Sequence, residues 1–489
     1  MPSFHAAENT LQSPAMTMPF RPPVSPEQVA RFVAIVGESH AVTDPAEQAA
    51  YLEEPRGLYR GRTPAVLRPG TVDEVAAIMA LATELGVPVV PQGGNTGLVG
   101  GQIPQSGEIL VSTKRLDRIR EIDPASSTMT VEAGVVLQAA QAAAAGVDRL
   151  FPLSLGAEGS CTIGGNLSSN AGGTAALAYG VARDLVLGLE VVLPDGRVWH
   201  GLNKLKKDNT GYDLRHLFMG AEGTLGVITA AVLKLFPAPR SIETAFLGLA
   251  SPEAALALLG LVQERAGGSV TSFELLARIC LDMALRHGTG LRDPLAGQHP
   301  WYVLIELSSG AREGLRDLLE ETLALGIEQG LIVDAVMAES LEHRNAFWRM
   351  REFVSDAQRY EGGSIKQDVS VPVAAVPDFI HAASAAVTAL IPGCRPVPFG
   401  HLGDGNIHFN VSQPVGADKA AFLARWDEIS NAVFAEVLSR GGSISAEHGI
   451  GVMKRDYLPR IKDPVAMALM RSIKATLDPK GILNPGKVV

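Results

Sequence analysis

Short apolar runs alternate with helical stretches along this chain, and the character of the alternation changes near residue 237. An amphipathic pattern from about Ser25 to Glu54 predicts a lead-in helical region. Thr71 to Leu85 reads as a helix: Thr71 and Glu74 have capping-box spacing, and Gly86 sits where a C-cap glycine belongs. Val87-Pro88-Val89-Val90, Ile109 to Val111 and Met129 to Val131 read as strands, and Val135 to Ala145 as an Ala-rich helix. Gly188 to Leu193 and Arg197 to His200 flank Pro194-Asp195-Gly196, a hairpin turn. Phe236-Pro237-Ala238-Pro239 reads as a boundary, because two prolines interrupt regular pairing. Beyond it, Trp301 to Leu307 predicts a strand and Arg312 to Leu325 a helix. The composition there suits an antiparallel sheet covered on one face, an α+β arrangement.

One stretch of the second half carries chemistry in its alternation. After the turn Gly403-Asp404-Gly405, Ile407, Phe409 and Val411 face one way, and Asn406, His408 and Asn410 the other. His401 returns across the turn. A single buried histidine is ordinary packing, but two in one tight unit beside two amides point to metal chemistry.

Composition narrows the class. A chain of 489 residues predicts two or three domains with ample core. Its net charge of −10 and lack of basic runs argue against a nucleic-acid partner. Cys161, Cys280 and Cys394 are far apart and odd in number, which suits free thiols in a reducing compartment; a cytoplasmic protein is expected. Residues 1–24 are polar and proline-rich, a flexible leader with neither a signal-peptide nor an Arg-rich transit pattern, and Met16 and Met18 are alternative starts. The longest apolar stretches, such as Val135 to Val147, are short of membrane-spanning length.

Three glycine-rich blocks then fix the first half. The first is Pro91-Gln92-Gly93-Gly94-Asn95-Thr96-Gly97-Leu98-Val99-Gly100-Gly101. Five glycines in one polar loop suit backbone N–H groups crowding onto phosphate oxygens. It is not the G-x-G-x-x-G dinucleotide fingerprint, so NAD is not expected as direct acceptor. The second leads from Pro152-Leu153-Ser154 into Gly164-Gly165-Asn166-Leu167-Ser168-Ser169-Asn170-Ala171-Gly172-Gly173, uncharged and rich in small residues, amides and hydroxyls. The third is Gly220-Ala221-Glu222-Gly223-Thr224-Leu225-Gly226-Val227-Ile228-Thr229. Together they resemble the flavin-binding half of the vanillyl-alcohol-oxidase-type (FAD-binding type 4) oxidoreductases, over nearly the whole chain after residue 25.

The resemblance implies a fold: an α+β chain with a two-subdomain FAD-binding domain at 25–237 and an antiparallel-sheet α+β cap, or substrate, domain at 238–455. A C-terminal helical segment, 456–489, would return to the FAD domain, with Asn484 of its Asn484-Pro485-Gly486-Lys487 run at the cofactor. The cofactor is expected to be FAD held without a covalent link, since the first loop has Asn95 and no histidine and Cys161 is the only thiol near the second block. His401-Leu402-Gly403-Asp404-Gly405-Asn406-Ile407-His408 and Ser445-Ala446-Glu447-His448-Gly449 resemble the D-2-hydroxyacid dehydrogenase branch. There the matches of His401, His408 and Glu447 hold a metal, and the match of His448 is the base, also at the substrate. Zn²⁺ suits two nitrogens and an oxygen with open positions, and Mn²⁺ or Fe²⁺ also binds such sets.

Arg351, Ser355 and Lys366 match the Arg, Thr and Lys assigned to substrate carboxylates in the D-2-hydroxyglutarate dehydrogenases; serine keeps the hydroxyl, and Asn410 joins them. The trio implies a second carboxylate and favours D-2-hydroxyglutarate over D-lactate or glycolate. A flavin-carrying electron-transfer subunit is the alternative outside enzymes. Electron-transfer flavoprotein, a quinone or a cytochrome are open as acceptor, and a homodimer is open as assembly.

Overall fold

The computed structural model describes residues 22–489, so most of the leader lies outside the described residues. The lead-in resolves into two helices, Pro26–Val36 and Pro45–Leu52. Ser25 caps the first by a complete capping box, and Asp44 caps the second. The helix after Thr71 spans Val72–Leu85 and ends at Gly86 in the left-handed region. Glu74 does not close the box on Thr71; its carboxylate takes the N–H of Gly70 instead, at 2.7 Å.

Two main sheets build the first half. One has four strands in the order Ala41–Val42, Val66–Leu67, Ile109–Ser112, Val89–Gln92, with parallel pairing around Ile109–Ser112. The other is antiparallel, ordered Ile119–Asp123, Thr128–Glu132, Val227–Lys234, Val186–Val192, Val198–Gly201. The chain end returns here after the helix Pro464–Leu477. Val89 donates to Ile482 O and Asn484 to Val89 O, both at 2.8 Å, and Ile482 and Leu483 are fully buried in the first sheet's core.

The second half is one eight-stranded sheet in which every pairing is antiparallel. At its centre lie Ser241–Leu249, Trp301–Ser309, Val270–Ala277, Arg395–His401 and Asn406–Ser412. Both faces are covered, which corrects the one-face expectation. Leu247, Phe273, Ile305, Ile407 and Phe409 face a core closed by the helices Pro252–Ala266, Leu315–Glu328, Val376–Leu390 and Trp426–Ser439. Phe246, Leu276, Leu304 and Phe399 face the helices Arg278–His287 and Leu341–Ala357. Alternation was masked because nearly every position of Val270–Ala277 and Trp301–Ser309 is buried or half-buried, as a strand covered on both sides requires.

Two smaller readings also change. Phe236–Pro237 is not a break in pairing but a two-residue strand against Arg149–Leu150; a proline at a short edge costs no ladder bond. One segment, Val373–Leu390, is long and apolar enough to cross a bilayer by length and composition, but its Phe379, Ile380, Ala383 and Val387 are packed in the cap core.

Candidate active site

The strand Val89–Gln92 runs straight into the first glycine-rich loop, which packs on the start of the helix Ile163–Ser169. A Cβ on Gly93 would stand 2.4 Å from Thr162 Oγ1, and one on Gly94 2.2 Å from the Ser160 carbonyl. Only glycine permits that approach. Asn95, at φ 62°, ties the loop to the lead-in helix by donating to the Ala50 and Glu53 carbonyls.

A single cavity collects Pro91, Gly93, Gly94, Asn95, Thr96 and Gly97, then Gly164, Gly165, Asn166 and Ser169, then Glu222, Gly223, Gly226 and Ile228; His448 closes it from the other half. Gln92 Oε1 and Thr162 Oγ1 are buried in its lining without a partner among the described residues. Polar atoms left this way are costly unless a ligand uses them, so the cavity fits a hydrogen-bonding cofactor.

The remaining residues singled out in these blocks lie around that cavity rather than in its lining. Pro152, Leu153 and Ser154 line a groove between the two halves with Trp348 and Glu352. Asn170 caps the helix in the left-handed region, and its side-chain Oδ1 accepts the Arg183 backbone N–H. The Leu98 carbonyl accepts from Arg56. Asn484, 1% exposed, donates to the Gly101 and Glu222 carbonyls. Gly172 and Gly173 meet Glu447: the Gly173 N–H donates to Glu447 Oε1 at 2.6 Å.

Sheet register assembles the second cluster. Glu274 pairs with His401, Phe399 with His408, and Asp368 with His408 across adjacent strands. Ligand atoms of His401, His408 and Glu447 lie within 4.8 Å of one another. His401 Nδ1 is 2.6 Å from Glu274 Oε1, so its Nε2 is turned toward Glu447, 3.8 Å from Oε1. Burial would lower the His401 pKa, but the Glu274 carboxylate outweighs it and holds the imidazole at about 9. Burial would raise Glu274; His401 and Arg351 instead hold it at about 2. Burial pushes His408 well below its usual range and raises Glu447. Two imidazoles and a carboxylate with open faces form a donor set suited to a divalent metal.

The His448 ring lies nearly parallel to that of His408, with centroids 6.1 Å apart. Its pKa falls to about 4, first through burial, with Lys454, Arg56 and Lys366 adding to the shift and Asp368 opposing it.

The three residues expected at substrate carboxylates do not share one surface. Arg351 is 7% exposed and bonds Glu274 Oε2 through Nε and Nη2, both at 2.7 Å, leaving Nη1 without a hydrogen bond among the described residues. Ser355 is exposed on the same helix; its carbonyl takes one N–H of Lys366 at 2.9 Å. Burial first, then Arg56 and Arg359, lower Lys366 to about 8. Asn410 is turned inward, against the expectation for it: it is 3% exposed, donates to Gln358 Oε1 and accepts from the Gln367 N–H.

Sequence reasoning missed Glu274, Asp368, Arg56 and Lys454. Glu274 sits as a lone acid between Phe273 and Leu275, and a charge inside such a run is the signal available for it; Asp368, between Lys366-Gln367 and Val369-Ser370, carries no such mark. Arg56 and Lys454 lie in loops and carry no comparable mark.

Comparison with known proteins agrees with both halves. Residues 63–201 match the FAD binding domain family, and residues 238–488 match the FAD linked oxidases, C-terminal domain. The chain is 37% identical to the Arabidopsis thaliana protein named D-2-hydroxyglutarate dehydrogenase, mitochondrial, covering 95% of this chain and 81% of that one. It is 38% identical to the D-2-hydroxyglutarate dehydrogenase of Xanthomonas citri pv. viticola, covering 91% and 93%. The solved structure of p-cresol methylhydroxylase with substrate bound superposes with a TM-score of 0.76 at 16% identity over 94% of this chain and 96% of that one, a likeness of fold. The chain belongs to the FAD-linked oxidoreductases of the vanillyl-alcohol-oxidase type, and among them to the D-2-hydroxyglutarate dehydrogenase family of FAD-linked 2-hydroxyacid dehydrogenases. The cytoplasmic expectation is corrected by the same comparison: the Arabidopsis relative is named mitochondrial, as are those of rat and cattle, while the Xanthomonas name gives no compartment.

Proposed function

We propose that this chain oxidises D-2-hydroxyglutarate to 2-oxoglutarate, with non-covalent FAD, a divalent metal such as Zn²⁺ at His401, His408 and Glu447, and His448 as base. The observation that carries the reading is the position of His448, which lines the glycine-rich cavity and stands next to the histidine–carboxylate cluster, its ring stacked over His408 and its chain neighbour Glu447 within that cluster. When bound, the flavin supplies the hydride acceptor and the metal the Lewis acidity for a substrate hydroxyl and its 1-carboxylate.

The residues supply the rest. His448, with a pKa of about 4, is neutral at pH 7 and ready to take the hydroxyl proton. An anionic substrate beside it raises that pKa toward the range of an effective base. Lys366, charged below about pH 8 and with one N–H committed to Ser355 O, is assigned to the distal carboxylate. Arg351 offers its Nη1 edge while holding Glu274. Electrons leave to a non-NAD acceptor, with electron-transfer flavoprotein or a quinone proposed.

Chelation tests the metal assignment. Treated protein should keep its flavin spectrum and lose turnover, and Zn²⁺ or Mn²⁺ should restore it. His401→Ala, His408→Ala and Glu447→Ala should behave like the chelated protein. Full-rate turnover by a metal-free preparation contradicts the assignment.

A further inference from the structure

Asp368 is outside the set assigned above, yet its oxygens are committed to that set. Oδ2 accepts the backbone N–H of Glu447 and the backbone N–H of His448, both at 2.9 Å. Oδ1 accepts from Asn406 Nδ2 at 3.0 Å and lies 3.8 Å from His408 Nδ1. The residue is 2% exposed. The chain around Glu447 and His448 forms neither helix nor strand, so no regular ladder orients these two side chains. The chain just beyond has its own anchor: the Ile450 and Gly451 N–H groups donate to the Glu222 carboxylate. The backbone amides of Glu447 and His448 are held by Asp368, while the Gly173 N–H donates to the Glu447 carboxylate itself.

Asp368, Glu447 and His448 also have donor atoms within 4.8 Å of one another, which would suit a second cation position. The hydrogen bonds favour an anchoring role instead. A carboxylate oxygen has two lone-pair directions; two amides fill both on Oδ2, and Asn406 takes one on Oδ1.

We propose that Asp368 is a positioning residue: one buried carboxylate sets the consecutive backbone amides of Glu447 and His448, so that a metal-binding side chain and the base leave adjacent residues in fixed, different directions. The inference rests on the metal reading given above.

The test uses the full chain with FAD bound. In Asp368→Asn, Zn²⁺ affinity measured by competition with a chelator should fall about 10–100-fold, with stoichiometry unchanged, as expected for a group that orients a ligand. Amide hydrogen exchange at Glu447 and His448 in the metal-free protein should accelerate, while the flavin spectrum stays. Unchanged affinity with unchanged exchange overturns the proposal. Loss of Zn²⁺ binding as complete as in His401→Ala, with unchanged exchange, overturns it by making Asp368 a ligand. Should the unsubstituted protein bind no Zn²⁺, the metal reading falls on its own, and exchange alone decides: acceleration supports the anchor and no change overturns it. If Asp368→Asn does not retain flavin, Asp368→Glu, which keeps the charge but displaces the oxygens, is measured with the same expectations.

Discussion

Glu274 Oε1 lies 2.6 Å from His401 Nδ1, and the two residues face each other across adjacent antiparallel strands. The pairing fixes which imidazole nitrogen is free and holds Arg351 through the other carboxylate oxygen. A carboxylate that orients a metal-binding imidazole also raises its basicity as a ligand.

Glu274→Ala should therefore be severe. It leaves His401 and Arg351 buried without their counter-charge, a loss of about 3–5 kcal/mol. Thermal unfolding of the FAD-bound protein checks this; a cost below about 1 kcal/mol would show the pair to be ornamental.

Lys366 should set a pH limb. It is protonated below about 8, so under the assignment proposed above recognition of a distal carboxylate should be present at neutral pH and be lost as pH rises through that value. The profile of kcat/KM for D-2-hydroxyglutarate should fall on this alkaline side, and Lys366→Met should abolish the limb. The same variant should lower kcat/KM by at least about tenfold for the dicarboxylate and change D-lactate little. Equal losses for both substrates would assign Lys366 to the shared carboxylate or to the fold.

Glu361 governs part of the acid stability. Burial would raise it, but Arg395, His287 and Arg286 hold it at about 2 instead of 4.5. A carboxylate lowered on folding stabilises above its unfolded pKa and loses that contribution as pH falls through the folded one. Unfolding temperature should drop between about pH 4.5 and 2, and Glu361→Gln should flatten that drop. Parallel acid curves for the two proteins would remove Glu361 from the account.

The flavin should be released by acid precipitation. No cysteine lines the glycine-rich cavity among the described residues, and its one histidine, His448, is assigned to proton transfer. Colour that stays with the pellet would show a covalent bond.

The glycine blocks were legible because a close approach leaves its mark in residue type: Gly93 and Gly94 admit no Cβ. The face of His408 was legible because Ile407, Phe409 and Val411 alternate with it into the core. The hidden parts depended on long-range register. Nothing local says that Glu274 will meet His401, 127 residues on, or that Asp368 will hold Glu447. Arg351 was read as a partner for a substrate carboxylate, whereas burial on the Glu274 side of its helix commits most of its guanidinium to a carboxylate of the protein itself. The two-sided cap core was hidden for the same reason, since a strand buried on both faces has no polar stripe to read.

The most direct test is anaerobic rapid mixing of metal-loaded protein with D-2-hydroxyglutarate, following the bound flavin. The flavin should bleach in a single turnover, faster than with D-lactate, and His448→Asn should slow the bleaching by about 10²–10⁴ while keeping FAD and metal. A flavin that stays oxidised with D-2-hydroxyglutarate, or that bleaches equally fast without His448, contradicts the account.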